Sequence, residues 1–586
     1  MNSREARTHL LLLAAPDRAT LLRRLDRLHA RLTRRGDRTP ARRAPVVAAL
    51  PRSGVAEGAS VAEVEASRAA PGARRQARER LAIVGPPERL AESVAVARKR
   101  LADFARDRLS IRDRGIHFGC GSEPGRVVFL FPGEGAQRRD MLRGAREFLP
   151  PLREWFDVLD EVSVAAGEPA PTRLIYPASD AEYDPRRLFD IGYGGQLCTV
   201  ANLALYEVVT GLGIRPDAVL GHSNGEHAAA MVACMNVATE RTRIARWLRG
   251  ASSAGIALGE PPAPEGMLAV GALREGVLDA ALATALERHA GNLFLAMENC
   301  PLQRVIGGNA EAVADAARSI AAAGGLCGKL PFERAYHTPL FAAWASTLAA
   351  QYEELPLKAP RLPIYTCLTG SAMPDDVAEI RATMARQWTE TVRLRAAIDN
   401  LYADGFRCFV EVGPDDKLTA FVGDTLRGRP HLAVAAASAQ RNDLAQLQTL
   451  IASLYAQGVD VDRVAARRIG RDAPSRRESP QRRGLAQGRE ALRSAQRTLV
   501  ADARASLARM ERAFAQRGLA ASPPEVVRSA RRLSIAAQPF LADHALGRAP
   551  GLPVLSFTTS IALAVAAARA TNVAAGAFPA TAAQED

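Results

Sequence analysis

Two short apolar runs, each feeding directly into a glycine-rich turn and then into a helical stretch, constrain this chain more than any other feature. The first, Val127 to Phe131, runs into FPGEGAQ; the second, Asp217 to Leu220, runs into GHSNGE and a stretch rich in alanine and methionine. Strand, tight turn and helix in that order are the local plan of an α/β sheet whose chemistry sits at the carboxyl ends of its strands. Gly221-His222-Ser223-Asn224-Gly225 also fits the GxSxG elbow. Its flanking glycines permit a turn that a side chain would block, so the serine hydroxyl stands out from the backbone. The helix starting there aims backbone N–H groups at the same spot, where they can stabilise an oxyanion. The expected fold class is α/β.

A chain of 586 residues exceeds what one hydrophobic core organises, so several domains are expected. Residues 9 to 15 (HLLLLAA) read as a buried strand, and Leu21, Leu22, Leu25, Leu28 and Leu32 mark one side of a helix over 17 to 34. A second strand and helix follow at 81 to 103, after a stretch rich in Arg, Pro, Gly, Ala and Ser over 35 to 78 that reads as a loop. Residues 1–120 are therefore expected to form a small α/β element. Strands are expected at 266 to 272, 292 to 299, 302 to 308 and 326 to 331, with helices after the first and third. That order, βαββαβ, is the ferredoxin-like plan. Residues 463 to 490 are dense in Arg, Ser, Pro and Gly and read as a basic linker. A helix with Leu499, Ala503, Leu507, Met510 and Phe514 on one face should follow, ended by Gly518.

Composition removes several classes of function. The formal charge of +14 is carried almost wholly by arginine, since the lysines are Lys99, Lys329, Lys358 and Lys417. No zinc-finger spacing, basic helix leading into heptads or RNP-like aromatic motif accompanies it, so nucleic acid is not an expected partner. An arginine-rich surface equally suits CoA phosphates or an acidic carrier protein. The seven cysteines, Cys120, Cys198, Cys234, Cys300, Cys327, Cys367 and Cys408, form no CxxC pair, which argues against a disulfide scaffold and a zinc site. The run from Leu10 to Ala15 is shorter than a signal-peptide core, and no apolar stretch of membrane-spanning length occurs. A cytoplasmic location without membrane association is expected.

FPGEGAQ (Phe131 to Gln137), GHSNGE (Gly221 to Glu226), ERAYHTP (Glu333 to Pro339) and FVEVGP (Phe409 to Pro414) together resemble, in order and spacing, the malonyl-CoA:carrier-protein transacylase family as found in type I polyketide synthases. The resemblance covers about residues 125 to 455. It implies an acyltransferase domain over 121–455, with an α/β-hydrolase-like core and a ferredoxin-like subdomain inserted at about 264–332. It makes Ser223 the nucleophile and His337 the base that takes its proton; a serine hydroxyl is a poor nucleophile until an imidazole accepts that proton. His222 and His227, within the elbow and its helix, are the alternatives by proximity. The resemblance further assigns an oxyanion hole to the backbone N–H groups of Glu134 and Asn224, and the orientation of the histidine to a backbone carbonyl near Gln387. Two positions depart from the family pattern. Residue 134 is commonly Gln and is Glu here, and the arginine that grips a malonyl carboxylate 25 residues after the serine is Leu248 here. Arg246 and Arg249 flank it and are the candidates for that contact.

The flanks extend the resemblance. Residues 1–120 resemble a ketosynthase-to-acyltransferase linker and 531–586 the start of a dehydratase hot-dog domain; the segment between, 456–530, is read from composition and helical spacing as the basic linker and helix. In that last segment, PFLADHALG places His544 at the family's catalytic histidine, while a usual glycine is Arg548. The implied activity is transfer of malonyl or another short acyl group from acyl-CoA, through an acyl-serine, to the phosphopantetheine thiol of an acyl carrier protein in polyketide or fatty-acid-like biosynthesis. The carrier is expected in trans, with ketosynthase and dehydratase as further synthase partners. No metal and no tightly bound cofactor are expected. The rival readings are an acyl hydrolase using the same Ser-His site and a non-catalytic docking module.

Overall fold

The computed structural model describes residues 8–36 and 79–466, apart from short breaks at 105, 122–123, 191–192, 258, 260, 272–274 and 464. The expected loop over most of 35–78, the linker and helix beyond 466, and the dehydratase-like segment with His544 lie outside the described residues. All described residues belong to one compact unit.

The amino-terminal part runs β1 (His9–Ala15), α1 (Arg18–Gly36), β2 (Glu79–Gly85), α2 (Pro87–Ala102), β3 (Arg108–Ile111) and β4 (Ile116–Cys120). Its strands form an antiparallel sheet in the order β1-β2-β4-β3. Leu21, Leu25 and Leu28 of α1 and Leu90, Val94 and Leu101 of α2 are buried in a core shared with Leu11, Leu13, Leu81 and Ile83. The expected helical stripe thus faces the sheet, with Leu22 and Leu32 at its half-buried margin.

The central sheet and its helices follow: β5 (Arg126–Phe131), α3 (Pro150–Ala165), α4 (Gly194–Gly211), β6 (Ala218–Gly221), α5 (Gly225–Cys234) and α6 (Arg241–Ala257). Then comes β7 (Glu265–Gly271), α7 (Glu275–Arg288), β8 (Leu293–Cys300), β9 (Gln303–Asn309), α8 (Ala310–Ala322) and β10 (Leu326–Lys329). The chain returns to the central sheet through α9 (Ala342–Glu353), β11 (Ile364–Tyr365), α10 (Val377–Arg386), α11 (Leu394–Ala403), β12 (Phe406–Glu411), α12 (Lys417–Thr425), β13 (Leu432–Ala435) and α13 (Asp443–Gln457).

The central sheet has the order β11-β6-β5-β12-β13, and every pairing in it is parallel. Strands covered on both faces must be apolar throughout, which explains why β5 reads as VVFLF rather than as an alternation. Phe129 pairs with Val219 on one side and Val410 on the other, and all three are fully buried. Strands β7 to β10 form a separate antiparallel sheet in the order β10-β7-β9-β8, with a core of its own that includes Leu268, Val270, Leu282, Ile306 and Ile320.

Helix α13 joins the amino-terminal sheet to the rest. Leu447, Leu450, Ile451 and Leu454 are all buried, and the helix packs across β2 and β4. The contact is close: a Cβ on Gly119 would lie 1.9 Å from the carbonyl oxygen of Ala456. Of the seven cysteines, all of them free thiols, five are buried. Among the described residues, no helix is long and apolar enough to cross a membrane.

Phe409, fully buried in β12, tests the central sheet. Phe409→Ala should lower the unfolding free energy by about 3–5 kcal/mol, read as a shifted urea midpoint.

Candidate active site

Strands β5 and β6 lie side by side in the central sheet, so the FPGEGAQ turn and the GHSNGE turn leave the same edge next to each other. Two glycines permit the approach. A Cβ on Gly133 would lie 2.5 Å from the carbonyl oxygen of His222, and one on Gly225 would lie 2.0 Å from that of Phe131. Ser223 takes the left-handed backbone conformation, with φ of 55°, a state that costs a non-glycine residue energy and persists where the surroundings impose it. This is the geometry of a sharp strand-to-helix elbow.

The Ser223 hydroxyl lies 2.7 Å from His337 Nε2, across 114 positions of sequence. His337 Nδ1 lies 2.7 Å from the backbone oxygen of Gln387. A carbonyl oxygen only accepts, so the ring proton sits on Nδ1 and Nε2 is left as the acceptor for the serine hydroxyl. Further contacts hold the pair. His337 N–H donates to the Trp388 carbonyl at 2.9 Å, the Trp388 ring stacks on the imidazole at 5.3 Å and 8°, and the Gln387 side-chain amide donates to the Ser223 carbonyl at 3.3 Å. Burial lowers the His337 pKa to about 4; the Gln387 carbonyl opposes that shift and His222 adds slightly to it. The ring is therefore neutral at physiological pH.

The Glu134 and Asn224 backbones flank the serine. Among the described residues, no protein acceptor takes the N–H of either one, so both donors remain available. The Asn224 side chain is committed, donating to Gly195 O at 3.0 Å and to Thr199 Oγ1 at 3.1 Å, which ties the elbow to α4. The Glu134 carboxyl is half-buried; loss of hydration, with the negative charge of Asp190 behind it, pushes it up to about 8.

The other two elbow histidines are engaged elsewhere. His222 Nε2 pairs with Asn299 Oδ1 at 2.8 Å, and His227 Nε2 pairs with the Tyr352 hydroxyl at 2.8 Å, which also accepts from Trp388 Nε1. Neither replaces His337 at the serine.

A cavity opens beside the pair. Glu134 and Asn224 lie at its wall together with Trp247, Leu248, Trp344 and Trp388. Arg246 and Arg249 do not line it. Arg246 is exposed, and Arg249 Nη1 pairs with Glu168 at 3.2 Å. Neighbouring helical positions point about 100° apart, so the face of α6 that brings Leu248 to the cavity turns both arginines away.

Some of the site escaped the sequence. Glu226 is buried behind the elbow, where Oε1 accepts from the Thr366 hydroxyl at 2.8 Å and from Cys367 N–H at 2.9 Å. Burial raises its pKa to about 7. An acidic residue at the start of a helix that is apolar apart from His227, Gly225–Cys234, was the available signal. The pairing of the Gln387 amide with the Ser223 carbonyl had no local signal, because the partners come from distant segments.

Comparison with known proteins gives the chain a family. Residues 196–461 match the family model described as the acyl transferase domain. The solved acyltransferase domain from the second module of the salinomycin polyketide synthase is 30% identical, with a TM-score of 0.51, over 64% of this chain and 82% of that one. Mycoketide-CoA synthase of Mycobacterium tuberculosis is 28% identical over 349 residues, 59% of this chain and 8% of that protein. Polyketide synthase GfsA of Streptomyces halstedii is 27% identical over 471 residues, 76% of this chain and 6% of that protein. The chain thus spans a small fraction of the curated relatives it matches.

Fold and likeness together define the class: a domain of the acyltransferase type, built on a parallel α/β sheet. The chain belongs to the acyltransferase domain family of the polyketide synthases.

Glu226→Ala strands the Thr366 hydroxyl and the Cys367 N–H in the interior, and should destabilise the protein by about 2 kcal/mol. Glu226→Gln keeps the accepting oxygen and should restore most of that loss. Thermal melts of the two variants against the parent check both outcomes.

Proposed function

We propose that the protein transfers an acyl group from acyl-CoA to the phosphopantetheine thiol of an acyl carrier protein by way of an acyl-serine at Ser223. The observation that carries this reading is the pairing of Ser223 with a neutral His337 whose free nitrogen faces the hydroxyl. In the first half-reaction the Ser223 oxygen bonds to the thioester carbonyl carbon while its proton moves to His337 Nε2. The backbone N–H groups of Glu134 and Asn224 hold the oxyanion, a role that fits donors left unpaired beside the nucleophile. The carbon–sulfur bond then breaks, and the proton passes from His337 to the departing thiolate. In the second half-reaction the carrier thiol gives its proton to His337 and its sulfur bonds to the acyl carbon; the ester bond to Ser223 breaks, and the serine oxygen takes that proton back. The Gln387 carbonyl keeps the ring oriented and supports the imidazolium, as an aspartate does in a serine-protease triad.

In this reading residues 121–455 form the acyltransferase domain, and the β7–β10 sheet with its two helices is its inserted ferredoxin-like subdomain at about 264–332. Residues 1–120 act as a linker from a ketosynthase. The carrier protein comes in trans, within a polyketide or fatty-acid-like synthase that also supplies ketosynthase and dehydratase partners. The arginine-rich composition suits an acidic carrier.

Incubation with acyl-CoA should give one acyl adduct on Ser223 by intact-protein and peptide mass spectrometry, and Ser223→Ala should give none. His337→Ala should slow adduct formation by about 10²–10⁴-fold. An adduct that survives Ser223→Ala would remove the proposal.

The acylation rate should also depend on pH in two places. It falls as pH drops through about 4, where His337 gains a proton and loses its ability to accept one. It falls again as pH rises through about 8, where Glu134 becomes an anion beside the developing oxyanion. Single-turnover rates from pH 5 to 9 should therefore be flat and then decline, and Glu134→Gln should abolish the alkaline decline.

A further inference from the structure

We propose that the cavity beside Ser223 takes an uncharged alkyl acyl chain and disfavours donors with a terminal carboxylate. The inference deepens the acyl-serine reading and rests on it. Much of the cavity wall is apolar and buried: Trp247, Leu248, Phe341, Trp344, Leu348 and Trp388 line it, and each is no more than 6% exposed. Among the described residues, the wall includes no lysine or arginine. The nearest arginines on the same helix are spent or turned away, Arg249 on Glu168 and Arg246 toward solvent.

The remaining polar groups offer no positive charge. His227 lies on the wall, and its burial keeps the imidazole neutral, with a pKa lowered to about 4. Its Nδ1, like the indole nitrogen of Trp344, has no hydrogen-bond partner among the described residues. Two uncharged nitrogens can meet an uncharged oxygen or a water; they do not neutralise an anion. Glu134, the one carboxylic acid among the described residues of the wall, supplies either a neutral acid or a second negative charge.

The physical consequence is selective. A carboxylate brought into this space sheds its water without gaining a cation, and an unpaired buried charge is among the most unfavourable groups a protein can hold. An alkyl chain loses nothing comparable. Each methylene that the aromatic and leucine side chains cover favours binding about four-fold.

The test uses the full chain and follows formation of the Ser223 adduct by intact-protein mass spectrometry, with acetyl-, butyryl-, hexanoyl- and malonyl-CoA at equal concentration. Butyryl-CoA should label faster than acetyl-CoA, and malonyl-CoA should label slower than butyryl-CoA by on the order of 100-fold. Malonyl labelling as fast as butyryl labelling would overturn the proposal while leaving Ser223 as the acyl carrier. No adduct from any donor would overturn the acyl-serine reading itself, and this proposal with it. Leu248→Arg, which places a cation on the wall, should raise malonyl labelling at least ten-fold and lower butyryl labelling. If that variant does not fold, the donor series on the parent protein still decides.

Discussion

The hydrogen bond from Ser223 to His337, with the imidazole held from behind by the Gln387 carbonyl, is the contact on which the functional geometry turns. A serine hydroxyl has little nucleophilicity of its own, and an imidazole is useful to it only with the correct nitrogen free. The backbone oxygen of Gln387 settles that choice by accepting the Nδ1 proton. The use of a backbone carbonyl rather than a carboxylate has a consequence for the site: the group behind the ring carries no charge, and burial holds the imidazole neutral.

The sheet explains how that contact is reached. Parallel strands β5 and β6 end together, so the two glycine turns converge, and the close approaches at Gly133 and Gly225 leave no room for side chains between them. The histidine follows the β7–β10 sheet in the chain, and its partner Gln387 comes from the end of α10. Trp388 links this arrangement to the cavity, since it stacks on His337 and also bonds to the Tyr352 hydroxyl that His227 contacts. One aromatic cluster therefore positions the imidazole and builds part of the wall that an acyl chain would meet.

Much of the local structure was legible. The run HLLLLAA became β1 at the expected bounds, the leucine spacing placed the buried face of α1, and the order βαββαβ is the order observed from β7 to β10. Strands β3 and β4 were not anticipated. They are short and mostly lack a continuous apolar run; Ile116 and Phe118 of β4 join the amino-terminal core, while its His117 and Gly119 face is covered by α13, more than 300 positions later in sequence. The amino-terminal sheet completes its burial through that distant helix, a dependence that no window of adjacent residues records.

Local sequence specified most of the elements other than β3 and β4, the elbow and the identities of the polar groups, because strand, helix and turn preferences depend on neighbours a few positions apart. The motifs also named Ser223, His337, Asn224, Glu134 and the Gln387 region as candidates. Tertiary structure alone decided which side chains meet. It joined Ser223 to His337, paired the Gln387 amide with the serine carbonyl, and turned Leu248 toward the cavity while Arg249 went to Glu168. The physical reason is that a cavity wall is assembled from helices α6 and α9 and the segments around Phe341 and Trp388, whose relative rotation is fixed by packing and not by any one of their sequences.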